Sequence, residues 1–398
     1  MHRKGAFSSF IIKLAILATT VSVATMIMAV AILTGFKSEI HEKLYSFWGH
    51  VQVQPYLDNN SNSVISPDPI DRDVELEKHI KETGHVMSYA AFVVRPAIMN
   101  ANGMIEGLAL KGVTSDYKMP QSIGLSGKPI DYSDTAYSKG ILLSENTANR
   151  MNLHVGDAVQ LNFMEPDATM PRMRKLVVSG IYHTGMEEID KKYALCDMRL
   201  LQRMNNWQPN QINGYQITLD DESLSDSLAN QLYRAYIKPP LTTYTMNDLF
   251  PQLFDWLRLT SVESMVLICI MAVVAIINLA AALLILIVEQ ARLVGLLKAQ
   301  GMNRAAIQKI FLYHAGLIAT IGVVAGNLLA FGLCYLEDKT HFIELKESIY
   351  SLKYAPVMLY WWQPVVVDVT TILLCILCMW LPALYIRRIQ PAKVLQFK

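Results

Sequence analysis

The chain has 398 residues, 52% of them hydrophobic and 17% charged, with a formal net charge of +1. Soluble globular chains carry about 25% charged residues, so the deficit excludes a wholly soluble protein, and nothing in the composition points to nucleic acid. Cysteine use excludes a disulfide framework, because Cys269, Cys334, Cys375 and Cys378 fall in or near long apolar runs and leave Cys196 alone.

The first apolar run, Leu14–Leu33, contains no charge. About 20 apolar residues in a helix cross a hydrocarbon core of about 30 Å, and a backbone in lipid has to satisfy its own hydrogen bonds. The run is therefore expected to be a transmembrane helix within a segment 1–36. Arg3, Lys4 and Ala29-Val30-Ala31 have the look of a cleaved signal peptide, but the run is too long for a signal core, and Ile32 and Leu33 continue it.

Residues 37–261 form a large region of mixed α/β texture. Asp71–Thr83 reads as a short helix, and Val93–Asn100 and Met104–Val113 as strands joined by the hairpin signal Ala101-Asn102-Gly103. Ile141–Leu143 is a strand that ends at the helix cap Ser144; Ala158–Met164, Lys175–Tyr182, Lys192–Cys196 and Tyr215–Leu219 are further strands. Asp197 is expected to cap a helix Met198–Asn205, and Ser223–Ala235 reads as an amphipathic helix. The pattern suggests two lobes, one of residues 37–112 and 210–258 and an inserted β-rich lobe of residues 113–209, with a Pro- and Met-containing loop, Met164–Arg174, in the second.

Three more spans are expected in the C-terminal segment 262–398, at about 262–288, 311–336 and 364–386. Polar residues there are expensive and often functional. Asn278 sits mid-span, where a hydrogen bond between helices is the plainer role, and Asp368 follows the interfacial pair Trp361-Trp362, which makes it a candidate water-level acid. Gly322 and Gly326 form a G-x-x-x-G face suited to close helix approach. Between spans two and three, Ala291–Gln300 reads as a helix stopped by Gly301, with Leu293, Leu296 and Leu297 on one face and Arg292 and Lys298 on others. Such a helix either lies in the membrane interface or docks into a partner's groove.

Four spans put both termini on one side. The segments there, residues 1–36, 289–310 and 387–398, hold eleven positive charges against the single acid Glu289. The positive-inside rule makes that side the cytoplasm and puts residues 37–261 and 337–363 outside. No phosphate-cradling G-x-x-x-x-G-K-[ST], no H-E-x-x-H and no G-x-S-x-G occurs, and the paired acids Glu187/Glu188 and Asp220/Asp221 read as solvated loops. The chain is expected to have no catalytic machinery, and a docked motor would supply the energy.

Val294-Gly295-Leu296-Leu297-Lys298-Ala299-Gln300-Gly301 resembles the cytoplasmic segment of ABC-transporter permeases of the FtsX/MacB/LolC-LolE type, and Leu381-Pro382-Ala383 with Arg387-Arg388-Ile389-Gln390-Pro391 resembles that family's ending. Thr34-Gly35-Phe36, Gly107–Val113, Gly140–Ser144, Leu153-His154-Val155-Gly156-Asp157 and Gly180–Asp190 resemble motifs of the lipoprotein-releasing LolC and LolE permeases, in the same order. The resemblance implies an α-helical membrane protein with four transmembrane helices and a large mixed α/β periplasmic domain, the type VII (MacB/Lol-like) ABC architecture. It implies an inner-membrane permease that extracts lipoproteins for a periplasmic chaperone. It also implies a second copy or a paralogue as dimer partner and a separate ABC ATPase that carries the ATP and Mg, with no cofactor on this chain. The helix of Arg292, Leu293, Leu296, Leu297, Lys298 and Gly301 would be the ATPase-coupling helix. The loop with Met164, Pro166, Met170, Pro171 and Arg172 would stand where LolC holds its chaperone, although it is shorter than LolC's hook. Met26, Met28, Met265 and Met271 are candidates for lining a lipid cavity, flexible thioethers suiting varied acyl chains; lipid-facing or packing roles are the alternative. A MacB-like mechanotransmitter and an FtsX-like regulator of a cell-wall hydrolase are the rival functions.

Overall fold

The computed structural model describes residues 4–57, 68–117, 119, 123–164, 171–346 and 352–385. Helix α1 (Lys4–Trp48) leads into β1 (Val51–Pro55), β2 (Ile70–Asp71), α2 (Val74–Glu82), β3 (Val86–Ala101), β4 (Met104–Val113), β5 (Gly124–Gly127), β6 (Gly140–Ser144) and α3 (Glu145–Arg150). Then come β7 (Ala158–Phe163), β8 (Arg172–His183), α4 (Glu187–Asp190), β9 (Tyr193–Asp197), α5 (Met198–Met204), β10 (Gln211–Ile212), β11 (Gly214–Leu219), α6 (Ser225–Ala235) and β12 (Leu241–Thr245). The rest is helical: α7 (Met246–Leu249), α8 (Pro251–Glu289), α9 (Ala291–Ala299), α10 (Arg304–Thr340) and α11 (Trp362–Tyr385). The chain divides into a sheet unit, residues 39–255 and 345–353, and a helical unit of the remaining residues.

In the sheet unit ten strands join in the order β12-β1-β11-β3-β4-β9-β6-β8-β5, with β7 pairing β3 and β8. β4 and β9, which the sequence places in different lobes, pair in parallel from Ala109↔Tyr193 to Val113↔Asp197. One cluster of buried side chains runs beneath these strands, from Val51 and Val53 through Leu110 and Leu143 to Leu201 and Leu232. Local chemistry sets several boundaries. Helix α2 begins at Val74 rather than Asp71, because the Asp73 carboxylate caps it and accepts from the amides of Glu75 and Leu76 at 2.9 and 3.2 Å. Ser144 and Asp197 cap α3 and α5 through the amides of Thr147 and Arg199. The β3–β4 hairpin closes on Asn102 and Gly103 with φ of 54° and 76°, the two left-handed residues of a turn whose twist matches its strands. Strand β8 starts at Arg172, three residues before the expected Lys175, because β7 extends it by pairing as far as Phe163↔Arg172.

In the helical unit, three stretches among the described residues are long and apolar enough to cross a membrane: Ile12–Trp48, Pro251–Ile277 and Ala305–Thr340. The fourth expected window falls on α11, where Trp362–Leu374 forms a shorter apolar stretch.

Candidate functional site

Helix α1 seats directly on the small-residue face of α10. A Cβ at Gly322 would lie 2.7 Å from Thr19 Cβ, and one at Gly326 would lie 2.8 Å from Val23 Cβ. Thr20 Oγ1 donates to the Gly322 carbonyl at 3.3 Å, a bond that only this close approach allows. Farther along α10, Asn327 Nδ2 donates to both carboxylate oxygens of Asp368 at 2.9 Å each. Asp368 therefore ties α11 to α10. The side chain of Asn278 lies outside the described residues.

The four methionines do not share one surface. Met26 is 2% exposed and packs with Val23, Ala24, Ile27, Val323 and Ala330, and Met271 rests half-buried against the same cluster. Met28 is half-buried, and Met265 stands 68% exposed on α8. In the apolar part of α8 only 6% is buried within the chain, against 39% for the stretches in α1 and α10. Among the described residues, most of the apolar surface of this stretch of α8 is left exposed.

Helix α9 has two apolar faces. Val294 is fully buried with Ile287, Ile307 and Phe311, and Leu297 packs against that cluster. Leu293 and Leu296 point away, each 48% exposed. Gly301 ends the segment with φ of 84°, and Asn303 Oδ1 caps α10 through the amide of Ala305 at 3.3 Å. Lys298 is half-buried, and the side chain of Arg292 lies outside the described residues. The sequence put Leu293, Leu296 and Leu297 on one face; Leu297 instead belongs to the inner face, because Val294 anchors the helix.

In the sheet unit the candidate chaperone loop springs from the β7–β8 hairpin. Pro166 and Met170 lie outside the described residues, Met164 is 64% exposed and Pro171 is exposed. Both roots of the loop are tied to the turn after α5. Arg172 donates to Asn206 Oδ1 at 2.9 Å, while Arg95 donates to Asn205 and, at 3.2 Å, to the Met164 carbonyl. Nothing in the sequence links Arg95 to that loop, since the two meet only through the register of β3 and β7. The Thr184-Gly185…Asp190 motif is a closed knot. Asp190 accepts from Thr184 Oγ1 at 2.8 Å and from the Gly185 amide at 3.1 Å, and burial raises its pKa against the lowering effect of Thr184. The carboxylate's hydrogen bonds stay inside the loop, while the Asp190 carbonyl accepts from Ser144 Oγ and, at 3.3 Å, from Thr147 Oγ1, so the motif ties the loop to α3.

Along the chain the sheet unit thus follows a first membrane-length helix and precedes the other helices of the helical unit. The profile of the MacB-like periplasmic core domain matches residues 14–235, over half of the chain, and that of the FtsX-like permease C-terminal domain matches residues 265–391. The chain belongs to this family of MacB/FtsX-like permeases and is a membrane protein. The lipoprotein-releasing system transmembrane protein LolC of Xylella fastidiosa strain Temecula1 is 23% identical over 425 residues, covering 100% of this chain and 96% of its own length. LolE of Haemophilus influenzae is 22% identical over 408 residues, with coverage of 99% and 96%. The crystal structure of the periplasmic region of MacB from Actinobacillus actinomycetemcomitans covers 52% of this chain and 92% of its own, with a TM-score of 0.36 and 13% identity.

Proposed function

We propose that the chain is the membrane subunit of an ABC transporter that extracts lipoproteins from the inner membrane and passes them to a periplasmic chaperone, driven by a separate ATPase. The similarity to LolC and LolE along the whole chain carries this reading, since it covers both the sheet unit and the helical unit. In this reading α11 is the fourth span, both termini are cytoplasmic and the sheet unit is periplasmic, in keeping with the eleven-to-one excess of positive charge on the segments assigned inside.

The exposed pair Leu293 and Leu296 on α9 forms the surface that enters the ATPase, and the buried Val294 and Leu297 transmit its displacement to α10. The apolar surface of α8, including Met265, faces a second permease subunit, a copy or a paralogue, with acyl chains entering between them. The loop after β7 meets the chaperone. The test is reconstitution with the cognate ATPase in liposomes carrying a triacylated lipoprotein and chaperone. ATP-dependent appearance of soluble lipoprotein supports the reading, and ATP hydrolysis without it contradicts it.

A further inference from the structure

Lys111 on β4 is a fully buried lysine, 0% exposed, that none of the roles above requires. Its Nζ donates to the main-chain carbonyl of Phe47, one residue before the end of α1. It lies 4.5 Å from the Phe47 ring centroid, 4.3 Å from that of Trp48 and 5.4 Å from that of Tyr117. Burial pushes its pKa well below the usual lysine range, and among the described residues no carboxylate pairs with it. Taking an ammonium out of water without an anionic partner is costly, and an apolar side chain of similar volume is often the more stabilising choice at such a position.

A lysine does one thing here that a leucine or methionine does not. The last carbonyls of a helix lack intrahelical partners and carry partial negative charge. An amine donating to one of them fixes the axial position of the helix end, whereas an apolar contact tolerates sliding. The surroundings reinforce that reading. Phe47 and Trp48 meet edge-on at 5.1 Å and reach Tyr193 of β9 at 5.7 and 5.0 Å. Gly49 then reverses the chain with φ of 74°, at a point where a Cβ would lie 2.8 Å from the Ile217 carbonyl. His50 donates its amide to that same carbonyl at 2.7 Å.

We propose that Lys111 is a positioning residue for transport, locking the last turn of α1 to β4 so that displacement of α1 during the ATP cycle moves the sheet instead of slipping at the helix end. This rests on the function proposed above, but its structural half can be tested apart from it.

The experiment compares the full-length chain, assembled with its ATPase, as wild type and as Lys111→Met, which keeps the side-chain length and removes the donor to the Phe47 carbonyl. Hydrogen exchange should show the amides of Gly49 and His50 exchanging at least tenfold faster in the variant, with the β3–β4 hairpin amides within twofold of wild type. In liposomes the variant should hydrolyse ATP within twofold of wild type while releasing at least fivefold less lipoprotein. Phe47→Leu, which removes one aromatic plate and keeps the carbonyl, should move both readouts in the same direction, and it decides the matter if Lys111→Met does not accumulate. Unchanged protection at Gly49 and His50 overturns the lock. Lost protection with undiminished release per ATP overturns the coupling role. If the wild-type assembly hydrolyses ATP and releases nothing, the proposed function fails, while the exchange comparison still judges the lock.

Discussion

Acidification should loosen the junction between α1 and β11 through one residue, His50. Its ring is 8% exposed, stacks on Tyr45 at 4.2 Å and accepts the Leu219 amide on Nδ1 at 3.1 Å. Protonation would set a second donor against that amide. Burial is the main cause that lowers the pKa from 6.5 to about 4; Glu222 pulls it up and His41 pushes it down. Because the folded pKa lies below the unfolded one, the stabilisation is complete above pH 6.5 and is lost as the pH falls toward 4. At about 1.4 kcal/mol per pKa unit, the loss by pH 4.5 is on the order of 2 to 3 kcal/mol for any opening that wets the ring. The assay is hydrogen exchange at the Leu219 amide in the full chain, corrected for its intrinsic rate, between pH 7 and 4.5. Protection should drop by roughly fifty- to a hundredfold, and His50→Gln should flatten the profile. A pH-independent wild type, or an identical slope in the variant, would refute the reasoning.

Other substitutions probe the helical unit. Leu296→Asp, on the exposed face of α9, should abolish co-purification of the ATPase and leave the chain folded. Leu297→Asp, which drives a charge into the Val294–Phe311 cluster, should destabilise the purified chain itself by on the order of 2 kcal/mol or more, read as a lower melting temperature. Gly326→Leu demands about an ångström of separation from Val23 and the Thr20 carbonyl, and should cost about 1 to 3 kcal/mol, read as a lower melting temperature in detergent. Asn327→Leu leaves Asp368 without its two 2.9 Å bonds and should destabilise by about 1 to 3 kcal/mol; Asn327→Leu with Asp368→Leu should recover part of that loss, and a double variant worse than the single would count against the pairing.

Signals confined to a few neighbouring residues were legible in the sequence. The hairpin at Asn102-Gly103, the caps at Ser144, Asp197 and Asn303 and the stop at Gly301 depend on local backbone chemistry, and each stands where its residues imply. Strand β1, Val-Gln-Val-Gln-Pro, was not legible. Its alternation suggests one wet face, yet Gln52 and Gln54 are as buried as the valines, and Gln52 Nε2 donates to the Trp48 carbonyl at the end of α1 at 3.3 Å. Lys111 reads as a surface charge until the end of α1 is laid over it. Of the candidate site, the small-residue face at Gly322 and Gly326 was readable from spacing. Its seat on Thr19 and Val23 was not, and neither was the split of α9 into Val294 and Leu297 against Leu293 and Leu296, since both depend on which distant helix lies alongside.

The measurement that bears most directly on the proposed function is lipoprotein release by the reconstituted assembly. With the cognate ATPase, a triacylated lipoprotein in the liposome and a periplasmic chaperone outside, soluble lipoprotein should accumulate only with ATP and should stop when Leu296→Asp replaces the wild type. ATP hydrolysis at the normal rate with all lipoprotein retained in the bilayer would contradict the account.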